Sequence, residues 1–325
     1  MGDATDQMDM YLGAALKHGA TEAEIQDMVN LASAFAGPPR AINAVRRSTD
    51  RLAAARGYEL PKERIIRLAD HDTLVRDTGG DGTPIILIHA LSLDSRMWRD
   101  VFSRLAAEGR VVAYDLRGMG YARGAPSTRS IDHLAEDLRV LLDTLAIERA
   151  DVYGISYGGA VAQSFAIAQP HRLRSCAFIT TAPAAGTGEA MLAARGTRAE
   201  EGGMESVVAE SLMRWFLPEA IARNSWGVRF ARECVRRARI EEWAAAWKAM
   251  SKLDCLDRLG ELQMPVLALA GAQDVSAPPL FLHAIANAVK FGEYRELNPG
   301  THMMPMEQPD AFATELIAFR RRVGE

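Results

Sequence analysis

The residues best suited to bond-breaking chemistry centre on the pentapeptide Gly154-Ile155-Ser156-Tyr157-Gly158. It follows the apolar run Ala150-Asp151-Val152-Tyr153 and precedes a helical pattern from Gly159 to Gln169. A strand that turns sharply into a helix leaves no room for a Cβ two residues before or after its tip, so glycine at both places marks a nucleophile elbow. The turn would hold Ser156 accessible to substrate, and the start of the next helix favours negative charge there. A glycine-rich turn in which Ser156 merely caps a helix has the same letters. The strand before and the helix after favour the elbow.

Serine is a weak nucleophile at neutral pH and needs a base, and an imidazole titrates near enough to neutrality to serve. His302, in Gly300-Thr301-His302, and Asp274, in Gly271-Ala272-Gln273-Asp274, complete a set in the chain order serine, aspartate, histidine. Asp274 would accept a hydrogen bond from the second ring nitrogen, fixing the tautomer and stabilising the imidazolium. The oxyanion is expected to be bound by the backbone N–H groups of Tyr157 and Leu91. Of the seven histidines, His71 lies in a turn, His133 at a helix start, His171 after Pro170 and His283 inside a helix. His89 directly precedes the oxyanion loop, which suits a structural hydrogen bond. Asp254 and Asp257 belong to a helical approach, and Asp115 and Arg117 are expected to brace their loop.

Elements that could hold these groups follow from the hydrophobic pattern. From Arg64 onward strands alternate with helices, the pattern of a mostly parallel sheet covered on both faces. Arg64 to Ala69 and Thr73 to Thr78 read as an edge hairpin. Pro84 to His89, Arg110 to Asp115, Asp151 to Gly154, Leu173 to Thr181, Pro265 to Gly271 and Gly292 to Leu297 read as further strands. Helices are expected over Trp98 to Ala107, Ile131 to Leu145, Tyr157 to Gln169, Pro278 to Val289 and Met304 to Arg322. In such sheets ligands sit at the carboxyl ends of the strands. Ser156, Asp274, His302 and Leu91 all follow strands, so they are expected on one rim.

The chain has 325 residues, 48% hydrophobic and 25% charged, which predicts a soluble globular protein with one large core and an appendage, or two domains. A net charge of -4 argues against nucleic acid as a partner, and no apolar stretch reaches bilayer length. The polar start Met1-Gly2-Asp3-Ala4-Thr5-Asp6 lacks the features of a signal peptide, so a cytoplasmic location is expected. Cys176, Cys234 and Cys255 are odd in number and widely spaced, as buried thiols would be rather than disulfides or zinc ligands. Neither a metal nor a cofactor is expected.

Residues 8–56 carry three helical stretches and no strand signal. Ala15 to Ile25, followed by Phe35-Ala36-Gly37-Pro38-Pro39-Arg40-Ala41-Ile42-Asn43, resembles the C-terminal half of the carboxymuconolactone decarboxylase family. That family is all-helical and oligomeric. The first half of its domain is missing, and Tyr11 stands where decarboxylases tend to have histidine. Residues 1–60 are therefore expected to be a helical appendage that packs or forms homo-oligomer contacts rather than a catalytic unit.

From about Arg64 to the end the chain resembles the α/β-hydrolase superfamily and, more narrowly, the 3-oxoadipate enol-lactonases. The residues that carry the likeness are His89 to Trp98, Asp115 to Gly120, the elbow, Glu201 to Glu205 through Arg214-Trp215-Phe216-Leu217-Pro218, and His302 through Glu307-Gln308-Pro309. Ala90 departs from the glycine most relatives place beside the oxyanion loop. Residues 61–182 and 253–325 are expected to form an α/β-hydrolase core, and 183–252, where Trp215, Trp226, Trp243 and Trp247 concentrate, an inserted helical lid. The resemblance implies a small-molecule substrate, an enol-lactone opened through an acyl-enzyme. The alternatives are a carboxylesterase, another lactonase, a carbon-carbon bond hydrolase, or a non-catalytic ligand receptor. Arg96, Trp98, Arg214 and Trp215 are candidate substrate contacts, and Arg96, Arg214 or Lys252 would suit a substrate carboxylate.

Overall fold

Apolar runs too short for helices and bounded by turns become strands buried on both faces, and that pattern builds the molecule from residue 61 on. The computed structural model describes residues 61–324 together with Ala15, Ile25, Asp27 and Met28. The chain divides into two units, Met1–Leu60 and Pro61–Glu325. The helices and oligomer contacts expected in residues 1–60 lie outside the described residues, those four helical positions apart.

Eight strands form one sheet in the order β1-β2-β4-β3-β5-β6-β7-β8. β1 (Lys62–Arg67) and β2 (Asp72–Asp77) are the expected antiparallel edge hairpin, and β2 runs antiparallel to β4 (Val111–Tyr114). β3 (Ile85–Ile88), β5 (Ala150–Ile155), β6 (Leu173–Ile179), β7 (Val266–Gly271) and β8 (Gly292–Leu297) join β4 in parallel. Every residue of β3, β4, β5 and β7 is buried, as strands covered on both faces must be.

Helices α1 (Arg99–Ala106), α2 (Ile131–Thr144) and α3 (Tyr157–Ala168) connect the strands before the lid. α2 starts where the Ser130 hydroxyl accepts the His133 N–H at 3.1 Å, and it buries the stripe Leu134, Leu138, Leu141 and Leu142. α3 is buried almost all round, which fits its position under the elbow.

Between β6 and β7 five helices form the lid: α4 (Glu189–Gly202), α5 (Glu205–Trp215), α6 (Pro218–Ala222), α7 (Trp226–Arg237) and α8 (Ile240–Met250). The chain leaves and re-enters the core through an antiparallel bridge between Ala184 and Asp254. Hydrogen bonds from the Ala185 N–H to the Leu253 carbonyl and from the Cys255 N–H to the Pro183 carbonyl, both 2.8 Å, close this stem. α9 (Pro279–Ala288) returns to the sheet after β7.

The single helix expected from Met304 to Arg322 is two. α10 (Met304–Glu307) stops, Gln308 leaves helical geometry at φ -139, and α11 (Pro309–Gly324) begins. Pro309 has no N–H and its ring pushes the preceding residue out of the α region. Next to the break, the Glu307 carboxylate accepts the Leu217 N–H of the lid at 3.0 Å and the Thr301 hydroxyl.

At the base of β5 the fully buried Asp151 accepts from Arg174 Nε (2.8 Å), the Ser175 hydroxyl (2.7 Å) and Arg320 Nη1 of α11 (2.8 Å). Removing one member of a buried ion pair strands the other, at a cost of about 3–5 kcal/mol. Asp151→Ala is therefore expected to lower the thermal midpoint by roughly 10 °C, read by calorimetry.

Candidate active site

The elbow is where steric demand is plainest. A Cβ on Gly154 would lie 2.1 Å from the Gly158 carbonyl oxygen, and one on Gly158 2.3 Å from that of Ile88. Ser156 sits between them at φ +54 and ψ -115, a conformation that costs a side-chain-bearing residue about 1–3 kcal/mol. Its N–H donates to the Ile179 carbonyl at 2.8 Å, and its carbonyl accepts the Thr181 hydroxyl at 2.9 Å. The strain is thus held in place from β6, and the hydroxyl is left partly exposed at the turn.

Residues 146 and 118 positions away in sequence meet this hydroxyl through the sheet. His302 Nε2 lies 2.7 Å from Ser156 Oγ, and His302 Nδ1 lies 2.7 Å from Asp274 Oδ2. The other carboxylate oxygen of Asp274 accepts the N–H groups of Ser276 (2.7 Å) and Ala277 (3.0 Å), so the carboxylate cannot rotate away. Asp274 and His302 are buried. Such a relay can deprotonate the serine as it attacks a carbonyl carbon, the imidazolium being neutralised by the carboxylate behind it.

The two amides expected to bind an oxyanion, those of Tyr157 and Leu91, have no acceptor among the described residues. Tyr157 is the first residue of α3, so its N–H has no intrahelical acceptor. The amides on either side of Leu91 are both engaged by thioethers. The Ala90 N–H points to Met97 Sδ at 3.4 Å, and the Ser92 N–H, at φ +63, to Met119 Sδ at 3.2 Å. His89 Nε2 accepts the Leu116 N–H at 2.8 Å, so Nδ1 carries the proton and donates to the Ala90 carbonyl at 2.8 Å. That carbonyl and the Leu91 N–H share one peptide plane, so His89 sets the direction in which the amide points. Thioether acceptors have no sequence signature, and nothing in the chain flags Met97 or Met119 for this place.

Burial pushes the His89 imidazole below its ordinary pKa, against the opposing fields of Asp115 and Asp94. The folded protein keeps it neutral while the unfolded chain protonates it below about pH 6.5. The unfolded chain therefore binds a proton that the folded protein resists, and stability falls as the pH drops below that value. The wild type is expected to lose stability between pH 7 and 5.5 more steeply than His89→Gln, in chemical denaturation at each pH.

Other residues singled out from the sequence have different places. Trp98 is fully buried against Phe312, ring centroids 6.1 Å apart, and belongs to the core between α1 and α11 rather than to a substrate surface. Trp215 is also buried, and its contribution to the site is its carbonyl, which accepts the Met303 N–H at 3.2 Å. Arg96 is held by both oxygens of Asp94 (Nε 2.9 Å, Nη2 2.7 Å), which raises its pKa further. Lys252 pairs with Glu189 at the surface. Arg214, by contrast, keeps Nε and Nη1 buried with no hydrogen-bond partner among the described residues.

Asp115 accepts the N–H and hydroxyl of Ser95 (2.9 and 2.5 Å) and the Tyr121 N–H (2.8 Å), and so ties two rim loops together. Asp70, His71 and Asp137 present ligand atoms within 4.8 Å of one another. Their charge is already met by Arg117, whose guanidinium spans Asp70 (2.7 Å) and Asp137 (2.7 Å), a poor arrangement for a cation. Cys176, Cys234 and Cys255 are free thiols.

Two cavities open near the rim of the sheet, and neither is lined by the triad itself. One of about 620 Å³ is lined by Leu91, Met119, Trp226, Phe230, Cys234 and Trp243 among others, but not by Ser156, Asp274 or His302. The other, about 540 Å³, is lined by Arg214, Leu217, Gln273, Val275 and Thr301, next to the acid and the base. The hydrogen-bonded relay, not cavity size, locates the chemistry. Among the described residues no helix is long and apolar enough to cross a membrane.

Residues 85–315 match the alpha/beta hydrolase family. Among characterised proteins the chain is similar to 3-oxoadipate enol-lactonase 2 of Acinetobacter baylyi, with 29% identity over 247 residues that cover 74% of this chain and 90% of that protein. Among solved structures it is similar to the enol-lactonase from Burkholderia xenovorans LB400, at TM-score 0.75 and 26% identity, covering 79% of this chain and 100% of that one. A thermophilic esterase from Thermogutta terrifontis, solved with malate bound, aligns at TM-score 0.72 and 25% identity, covering 81% and 99%. With most of its length matched and a mostly parallel eight-stranded sheet presenting the elbow, the chain belongs to the alpha/beta hydrolase family.

Proposed function

We propose that this protein is a serine hydrolase that opens an enol-lactone of the 3-oxoadipate type through an acyl-enzyme. The observation that carries the chemistry is the relay Ser156–His302–Asp274, with both contacts at 2.7 Å. The substrate class draws its support from the two enol-lactonases to which the chain is similar.

Ser156 Oγ bonds to the lactone carbonyl carbon as its proton passes to His302 Nε2. The resulting oxyanion is held by the Tyr157 and Leu91 amides. Collapse breaks the bond from the carbonyl carbon to the ring oxygen, which takes the proton from His302 and leaves as an enol that tautomerises to a ketone. Water then gives a proton to His302 as it attacks the acyl ester, and collapse of the second intermediate returns that proton to Ser156 and frees the acid. Since both halves of the product stay in one molecule, the lid must hold the whole substrate through both steps.

A carboxylesterase is the second reading, supported by the likeness to the Thermogutta terrifontis esterase. The two separate by turnover of 3-oxoadipate enol-lactone beside p-nitrophenyl esters, with wild type and Ser156→Ala, and mass detection of the acyl adduct in quenched samples. A larger kcat/KM for the enol-lactone supports the lactonase, and turnover of the aryl esters alone overturns it. No turnover of either, with ligand-dependent thermal stabilisation, points to a receptor.

A further inference from the structure

We propose that the lid carries an anion subsite, formed by the Arg214 guanidinium, the Trp247 Nε1–H and the Ser211 hydroxyl, which takes a carboxylate borne on an arm of the substrate. This rests on the acyl-hydrolase reading above. It selects one cation from several that the sequence offered.

All three groups are hydrogen-bonding side chains buried in the lid without a partner among the described residues. Ser211 and Arg214 lie three residues apart on α5 and so share a face. The Arg214 guanidinium carbon is 5.9 Å from the Trp247 ring centroid, and that of Arg195 is 4.7 Å from the same ring. Trp247 is thus flanked by two arginines. The neighbouring Trp243 is satisfied, its Nε1–H donating to the Arg195 carbonyl at 3.0 Å, so the vacant donor on Trp247 is not a general property of these helices. The nearest carboxylate to Arg214 is Glu210, whose Oε1 stands 3.7 Å from Nε, too far for a hydrogen bond, and whose Oε2 is taken by Arg198. Arginine and the indole N–H can only donate. The Ser211 hydroxyl can donate as well, so the site is dominated by donors, and a carboxylate supplies the acceptors they need.

The end of α5 that carries Arg214 is tied to the triad's loops, and Arg214 lines the same cavity as Gln273 and Thr301. The Ser276 hydroxyl donates to the Arg214 carbonyl at 3.5 Å, two residues past Asp274, and the Met303 N–H donates to the Trp215 carbonyl at 3.2 Å, one residue past His302. Burial pushes the Arg214 pKa down to about 10, with Arg195 and Arg198 adding to the shift and Asp274 opposing it. Burial likewise lowers Arg195. The guanidinium stays charged at neutral pH in a positive field. With Glu210 standing 3.7 Å off and shared with Arg198, the buried guanidinium is only partly compensated in the free protein, and an arriving anion completes its hydrogen bonds.

The test compares the mono-p-nitrophenyl ester of adipic acid with p-nitrophenyl hexanoate, esters of equal acyl length with and without a terminal carboxylate. Charge-assisted hydrogen bonds predict a kcat/KM ratio of about 10 to 100 in favour of the adipate ester for the wild type. Arg214→Met is expected to bring that ratio close to unity and Arg214→Lys to leave it intermediate, while Lys252→Met keeps the wild-type ratio. A wild-type ratio near unity, or an Arg214→Met protein that retains the preference, overturns the subsite. Thermal stabilisation by free adipate is measured in parallel. If neither ester is turned over but adipate raises the melting temperature of the wild type and not of Arg214→Met, the subsite stands and the hydrolase reading falls. Without turnover and without that stabilisation, both fall. Unliganded Arg214→Met is expected to melt no lower than the wild type, which separates loss of a ligand contact from loss of fold.

Discussion

Ser156→Ala is expected to lower kcat for any lactone or ester that the wild type hydrolyses by about 10⁵- to 10⁶-fold, the scale on which losing the nucleophile of a serine hydrolase registers. With Oγ gone, no covalent intermediate forms, and the mass shift of an acyl adduct in quenched wild-type samples must disappear. A residual rate above that of water is expected, since the Tyr157 and Leu91 amides still bind an oxyanion and still orient the carbonyl. The fold is expected to survive. Alanine at φ +54 bears the same backbone strain as serine, and the amide still donates to the Ile179 carbonyl. Single-turnover kinetics beside circular dichroism would check both halves, and a Ser156→Ala protein with near-normal turnover would remove Ser156 from the mechanism.

Asp274→Asn is expected to cost about 10⁴-fold in kcat. The direction in which the new amide settles is dictated by its neighbours. Oδ1 of Asp274 accepts the N–H groups of Ser276 and Ala277. The asparagine oxygen must stay there, since an NH₂ group would face two other donors. The amide nitrogen therefore turns to His302 Nδ1, where it donates. Nδ1 must then accept, the ring proton moves to Nε2, and the nitrogen facing Ser156 can no longer take the serine proton. KM is expected to change far less than kcat, because no substrate contact is lost. A tenfold effect or less would mean that His302 finds its tautomer without the carboxylate.

Much of this site is readable in the sequence, because the demands on it are local. Glycine at 154 and 158 is forced by carbonyl oxygens 2.1 and 2.3 Å from where a Cβ would stand, and such steric necessity leaves a pattern of letters. The strands are legible for a similar reason, since burial on both faces of β3, β4, β5 and β7 favours apolar runs, broken in β5 by Asp151 alone among charged residues. Residues whose roles depend on what lies opposite are not legible. Trp98 follows the oxyanion loop in sequence, yet its ring is sealed against Phe312, which arrives more than two hundred residues later. Arg96, Arg214 and Lys252 carry the same charge in the sequence, and the carboxylates near them distinguish them: Asp94 and Glu189 occupy two, and Glu210 falls short of the third. The break at Gln308 is signalled by Pro309, but its purpose appears only when Glu307 reaches the lid backbone at Leu217.

The lid leaves the sheet after β6 and rejoins it before β7, two strands that are neighbours, and its ends are fastened to each other by the Ala184–Asp254 bridge. The insertion is therefore a cassette whose entry and exit lie side by side, like a loop between adjacent fence posts. Lineages with this architecture can exchange, lengthen or trim the cassette without disturbing the pairing of the strands beneath it. New specificities can then arise above an engine that stays constant.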